Sequence, residues 1–145
     1  HQIKTKLMTN SEKIQISGKN VSIDYVNKYI YLGQTITINR STTQEQRKRI
    51  GLAWGKFWSL NFIFKDRLVN RKLKLQLLES CVFSVLLYGS QTWSFTQQDL
   101  ESIRVCQRNM ERNILNICLN DRIRKKEIGR RSNLKDIATA AQQLK

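Results

Sequence analysis

The spacing of apolar residues changes near Arg40, and that change limits the folds open to this chain more than any other feature. From Ile3 to Ile38, β-branched and aromatic residues alternate with polar ones, the period of a half-buried strand, and Ser17-Gly18-Lys19-Asn20 supplies a turn. This pattern predicts strands at about 3 to 9, 12 to 16, 20 to 26 and 29 to 37. After Arg40 the period becomes helical. Thr42 with Glu45 three residues on forms a capping-box signature, and Ile50, Trp54, Phe57 and Phe64 recur at helical spacing. The aromatic spacing puts Trp54, Phe57 and Trp58 in the core.

A second helix is expected from about 69 to 87, with Leu73, Leu77 and Cys81 on one side and Leu75, Leu78, Val82 and Val85 on the other, hence buried on both faces. Thr96 is placed to cap a third, ending near Leu119. Asn120 or Asp121 can cap a fourth, and Ser132 or Asn133 a fifth that reaches the C-terminus. No proline interrupts any of these segments. The fold class expected is α+β, mostly α: short antiparallel strands at the N-terminus followed by a bundle of about five helices. The seam falls between Arg40 and Thr43.

Charge narrows the choice of partner. With 26 Lys and Arg against 11 Asp and Glu, the formal net charge is +15, so the surface field attracts polyanions, nucleic-acid backbones above all. The longest apolar run, Val82 to Tyr88, is far shorter than the ~20 residues of a membrane-spanning helix, and no secretory signal opens the chain. Cys81, Cys106 and Cys118 are odd in number and lack CxxC spacing, and His1 is the single histidine. A disulfide framework or zinc site is therefore not expected, and the thiols read as buried and free in a reducing compartment. Asp24, Asp66, Asp99, Asp121 and Asp136 are scattered, with no Asp-Asp or Asp-x-Asp to hold a metal pair. Neither a Ser/His/Asp set nor a phosphate-cradling glycine loop occurs.

The basic residues cluster. On the third helix Leu100, Ile103, Cys106, Met110, Ile114 and Ile117 form an apolar stripe. Arg104, Arg108 and Arg112 lie four apart on the opposite side as an exposed strip, either a solubilising face that Glu101 and Glu111 partly neutralise through helical spacing or a nucleic-acid contact. Arg47-Lys48-Arg49 sits where a helix start disfavours cations and a nearby anion would relieve them. Arg122, Arg124, Lys125, Lys126, Arg130 and Arg131 crowd a third region, a second candidate surface for RNA or DNA.

Four segments carry a resemblance: Tyr29-Ile30-Tyr31-Leu32-Gly33, Leu87-Tyr88-Gly89-Ser90-Gln91-Thr92-Trp93, Cys106-Gln107-Arg108-Asn109-Met110-Glu111-Arg112 and Asn120-Asp121-Arg122-Ile123-Arg124. In this order they resemble the region behind the polymerase centre of non-LTR retrotransposon reverse transcriptases of the RTE-like clade. The resemblance implies that residues 1–40 are the end of the palm and the primer-grip strands, and that 41–145 are a helical thumb and post-thumb region. It further implies that the parent protein is an RNA-directed DNA polymerase whose Mg ions and catalytic carboxylates lie elsewhere, so this segment has no catalytic residue, metal or cofactor of its own. Lys4-Thr5-Lys6 looks like the tail of a palm motif, leaving Lys4 as a neutraliser of nucleotide phosphate or proton donor, or as a solvated edge-strand lysine. Tyr31, Leu32 and Gly33 match the primer grip, which the resemblance implies is a tight hairpin pressing the primer backbone, where a glycine lets two backbones approach; a β-bulge glycine is the alternative. Lys56, Lys65, Arg67, Arg71, Lys72 and Lys74, together with Arg47 to Arg49, resemble the track by which a thumb holds template and primer.

The partners implied are an RNA/DNA duplex, the element RNA, target DNA and the remainder of the reverse transcriptase, with no membrane. The location implied is nuclear, with a cytoplasmic ribonucleoprotein phase. A rival expectation is a stand-alone basic helical module, derived from such an element, that binds RNA or a protein. Two departures from the family stand out: Ser84 replaces a usual proline, and the sequence stops at Leu144-Lys145, where relatives commonly run on into a tryptophan-rich segment.

Overall fold

The computed structural model describes residues 6–10, 23–38 and 43–144. Lys4, the strand expected at 12 to 16, the turn at Ser17 to Asn20 and the cap at Thr42 lie outside them. The chain forms two compact units, His1–Ser41 and Thr42–Lys145. Its class is α+β and mostly helical, as the change of period implies.

In the first unit β1 (Lys6–Leu7) pairs with β2 (Asp24–Tyr25), and β3 (Lys28–Tyr31) pairs with β4 (Gln34–Thr37). The β1–β2 pair is parallel, Lys6 opposite Asp24, which corrects the expectation of antiparallel strands throughout. The long stretch between them permits a crossover where a tight turn would force reversal. The single strand expected over 29 to 37 is also corrected, because it folds into an antiparallel hairpin with Tyr29 opposite Ile36 and Tyr31 opposite Gln34. Leu32 (φ 47°) and Gly33 (φ 77°) make the two-residue turn, and positive φ at both positions matches the right-handed twist of the flanking strands. Gly33 takes this conformation freely, whereas Leu32 holds it at a cost of order 1 kcal/mol.

All five helical regions are present in the second unit, two of them broken. The first divides at Leu60 into α1 (Thr43–Ser59) and α2 (Asn61–Lys65). Phe57 is fully buried between Phe64, 4.8 Å away and stacked, and Trp54, 5.4 Å away edge-on. Trp58 departs from expectation: it stacks on Trp54 with its outer side in solvent, 52% exposed.

The second region runs as α3 (Arg71–Leu77), a π turn (Leu78–Phe83) and α4 (Ser84–Leu87). The wider turn advances the frame by one residue, so that neighbours Val82 and Phe83 are both buried. Leu75, Leu78 and Val82 are buried; on the other side Leu77 packs against the core and Cys81 is half-buried, but Leu73 is 57% exposed, so the expectation of two fully buried faces is corrected. Ser84 continues the helix, its hydroxyl donating to the Cys81 carbonyl at 3.2 Å. Gly89, at φ 75°, then ends it.

Thr96 caps α5 (Gln97–Leu115) as its sequence signature predicts: the Asp99 N–H donates to Thr96 Oγ1 and the Thr96 N–H to Asp99 Oδ2. Gln46 of α1 donates to the Asp99 carbonyl and so ties the two helices together. Leu100, Ile103, Cys106, Met110 and Ile114 are buried as a stripe. The helix stops before Leu119, because Asn116 turns left-handed at φ 54°. Asn120 and Asp121 belong to a short 3-10 turn, where Asp121 accepts the Cys118 N–H, and they do not cap the next helix. That helix is α6 (Lys125–Ser132), which Asn133 terminates; α7 (Ile137–Gln143) starts after Asp136. Asn133 therefore ends one helix and does not begin another.

The cysteines differ from expectation in burial. All three are free, but Cys106 alone is buried; Cys81 is half-buried and Cys118 exposed. Burial pushes the Cys106 thiol up to about 12. Alkylation at about pH 8, followed by mass spectrometry, is expected to modify Cys118 first and Cys106 only with global unfolding. Equal rates at Cys106 and Cys118 in the native protein would contradict the packing of α5.

Candidate nucleic-acid interface

The loop joining α2 to α3 is built from its own polar side chains. Asp66 Oδ1 accepts the Leu68 N–H at 2.8 Å, and Asn70 caps α3 by accepting the Lys72 N–H at 2.9 Å. Lys74, one turn into α3, reaches back to the Asp66 carbonyl at 2.6 Å and is itself buried. Thus fastened, the loop stands across from the end of α5 and leaves an open groove of about 570 Å³. Lys65, Arg67, Arg71 and Lys74 line one side; Ile114, Leu115 and Asn116 line the other.

Lys65, Arg67 and Arg71 are exposed. The ion pairs of the described residues engage Lys48, Arg49, Arg104, Arg108, Lys125, Arg130 and Arg131, which leaves these three groove cations without a carboxylate. Three unneutralised charges on one wall form a site for the acceptor oxygens of an anionic chain. A second recess, about 340 Å³, adjoins across Asn70 and Arg71 and includes Lys72 and Arg131.

Other candidates are placed differently. The strip expected on α5 is a seam. Arg104 pairs with Asp136 at 3.1 Å and Arg108 with Glu111 at 2.5 Å, because α6 and α7 pack over that side of α5. Gly129 of α6 makes the approach possible, since a Cβ there would lie 3.2 Å from the Arg108 guanidinium. Burial acts to raise the Asp136 carboxyl, but the hydrogen bonds from Arg104 and Thr139 prevail and hold it below its ordinary range.

Arg49 is likewise withdrawn. It is buried, bonded to Glu45 at 2.8 Å and set over the Tyr88 ring at 4.5 Å, while Arg47 and Lys48 beside it are exposed, as is Lys56. Arg122, Arg124, Lys125 and Lys126 are exposed, but Lys125 bonds Glu101 at 2.6 Å, holding that carboxyl below its usual value. Arg130 and then Arg131 bring Glu127 down to about 2. Tyr31, Leu32 and Gly33 form the exposed hairpin turn of the first unit.

The sequence reading missed two features of α5. Gln107 and Glu111 are fully buried, and Gln107 donates to Glu111 and to the Lys135 carbonyl while accepting the Ile137 N–H. Asn109, Arg112, Asn113 and Asn116 line a separate cleft of about 440 Å³. Three asparagines spaced four and three apart were the available signal. Among the described residues, no group of three His, Cys, Asp or Glu is arranged to hold a metal, and no helix is long and apolar enough to cross a membrane.

No family model matches the chain, and no solved structure matches it. The sequence is similar to a transposon-derived protein of Caenorhabditis elegans, 30% identical over 123 residues, covering 80% of this chain. The match takes in 43% of that protein, so the chain spans less than half of its relative's length. This likeness, to a protein described only as transposon-derived, supports a transposon-related origin for the chain.

Proposed function

We propose that the chain is the C-terminal part of a non-LTR retrotransposon reverse transcriptase and that it grips the primer/template duplex during target-primed reverse transcription. One observation carries the proposal: Lys65, Arg67 and Arg71 line a single groove with no carboxylate of the described residues paired to them, in a chain of net charge +15. The transposon-related likeness is consistent with it. The groove holds sugar–phosphate backbone, and the hairpin at Tyr31 to Gly33 bears on the primer end. The element RNA, target DNA and the remainder of the polymerase are the partners in the nucleus. Magnesium belongs with carboxylates of that remainder, as the resemblance to such polymerases implies.

The groove is tested with a blunt RNA/DNA hybrid, its affinity followed by fluorescence anisotropy between about 0.05 and 0.2 M salt. Replacing Lys65, Arg67 and Arg71 together by alanine is expected to weaken binding by roughly ten- to 100-fold and to reduce the slope of log affinity against log salt by about 2–3. An unchanged affinity and slope would remove the groove from the proposal.

A further inference from the structure

The cleft at the C-terminal end of α5 has a chemistry unlike that of the cationic groove. Arg112 lines it without a carboxylate partner. Its Nε is sealed from solvent with no hydrogen bond, and among the described residues its side-chain hydrogen bond, Nη1 to Asn109 Oδ1, is long at 3.5 Å. Asn113 bonds only its own helix, donating to the Asn109 carbonyl at 3.3 Å. Asn116, left-handed at φ 54°, turns the chain around the cleft, and Ile117 and Leu119 add apolar wall, Leu119 being 75% exposed. The volume, about 440 Å³, lies within the ~300–1,000 Å³ of small-ligand sites.

We infer that this cleft takes one unpaired nucleobase, guanine by preference, with the Arg112 guanidinium on its two edge acceptors, asparagine amides on its remaining polar atoms and Leu119 against the ring. A phosphate presents only acceptors and has no use for amide oxygens or an apolar wall. A flat heterocycle with mixed donors and acceptors uses all three, and a guanidinium meets the paired O6 and N7 of guanine. Unpaired bases in loops and bulges are free to enter such a site. The inference rests on the nucleic-acid reading of the groove for its biological setting, but not for its measurement. The cleft shares Asn116 with the groove, so a strand held in one has its displaced base within reach of the other.

The test uses the whole chain and RNA/DNA hybrids carrying a single unpaired RNA nucleotide. A G bulge is expected to bind about five- to 100-fold tighter than a C or U bulge. Arg112→Lys keeps the charge and is expected to abolish that preference with blunt-hybrid affinity unchanged. The groove triple variant is expected to weaken every hybrid and leave the ratio intact. Equal affinity for all four bulges alongside tight blunt-hybrid binding would overturn the cleft and spare the groove. Should no hybrid bind, guanosine and inorganic phosphate are titrated separately against the side-chain amide NMR signals. Shifts of Asn109 and Asn113 with guanosine alone support the base site, whereas shifts with phosphate alone, or with neither, overturn it. Asn113→Ala repeats the comparison should Arg112→Lys fail to fold.

Discussion

Glu111→Ala is expected to lower the unfolding free energy by about 3–5 kcal/mol, because removing one member of a buried ion pair strands the other. Glu111 has no solvent exposure; it accepts from Arg108 at 2.5 Å and from Gln107 at 2.8 Å. Alanine would leave the Arg108 guanidinium and one Gln107 N–H without partners in the seam that carries α6 and α7. Typical domains have only about 5–15 kcal/mol in hand, so the variant should melt tens of degrees lower or fail to fold at 37 °C. Urea unfolding followed by circular dichroism measures it, and a loss below about 1 kcal/mol would show that the seam does not depend on this carboxylate.

The same site has a pH signature. Burial raises the Glu111 carboxyl above its ordinary 4.5, against the lowering effects of Arg108, Gln107 and Ser132. The folded state then holds the proton more tightly than the unfolded one. Its stabilising contribution is complete below about 4.5 and declines as pH rises through the raised value. Glu111→Gln keeps the shape without the titration, so the stability of the native protein relative to Glu111→Gln should fall as pH rises above about 4.5. Asp136, shifted the other way, loses its contribution as pH falls, but it is common to both proteins and cancels. A difference that stays flat or grows with pH would contradict the assignment.

Phe57→Ala should cost a further-reaching 3–5 kcal/mol or so, the usual range for emptying a buried aromatic site. Its ring has no exposure and touches Phe64, Trp54 and Trp58 at centroid distances of 4.8, 5.4 and 5.4 Å. Phe64 belongs to α2, whose last residue is Lys65. The cavity would therefore loosen the helix that carries one groove cation. Hybrid affinity measured well below the melting temperature should drop along with stability, and Trp54 and Trp58 fluorescence reports both. Full stability in the variant would mean that the aromatic cluster is not a core.

Which parts of this molecule were legible in its residues follows from how local each feature is. The Thr96–Asp99 box, the stripe from Leu100 to Ile114 and the helix from about 69 to 87 depend on neighbours within a turn or two, so spacing alone identified them. The β3–β4 hairpin had a local signal in Gly33 and matches the tight hairpin that the resemblance to a primer grip implies, whereas strand spacing alone ran 29 to 37 together. Charge was the misleading quantity. Arg49 and Arg108 have Glu45 and Glu111 at helical spacing, but nothing local in sequence distinguishes Lys74 and Arg104 from Lys65, Arg67 and Arg71, and the first four are engaged by Glu45, Glu111, the Asp66 carbonyl and Asp136.

By itself, then, the order of residues determined short strands followed by helices and a large excess of cations, with no Asp-Asp or Asp-x-Asp among them. Only tertiary structure decided which cations face water. Whether a polar helix side stays open depends on segments far along the chain packing over it, as α6 and α7 do on α5, and a helical period records a direction without recording what will occupy it.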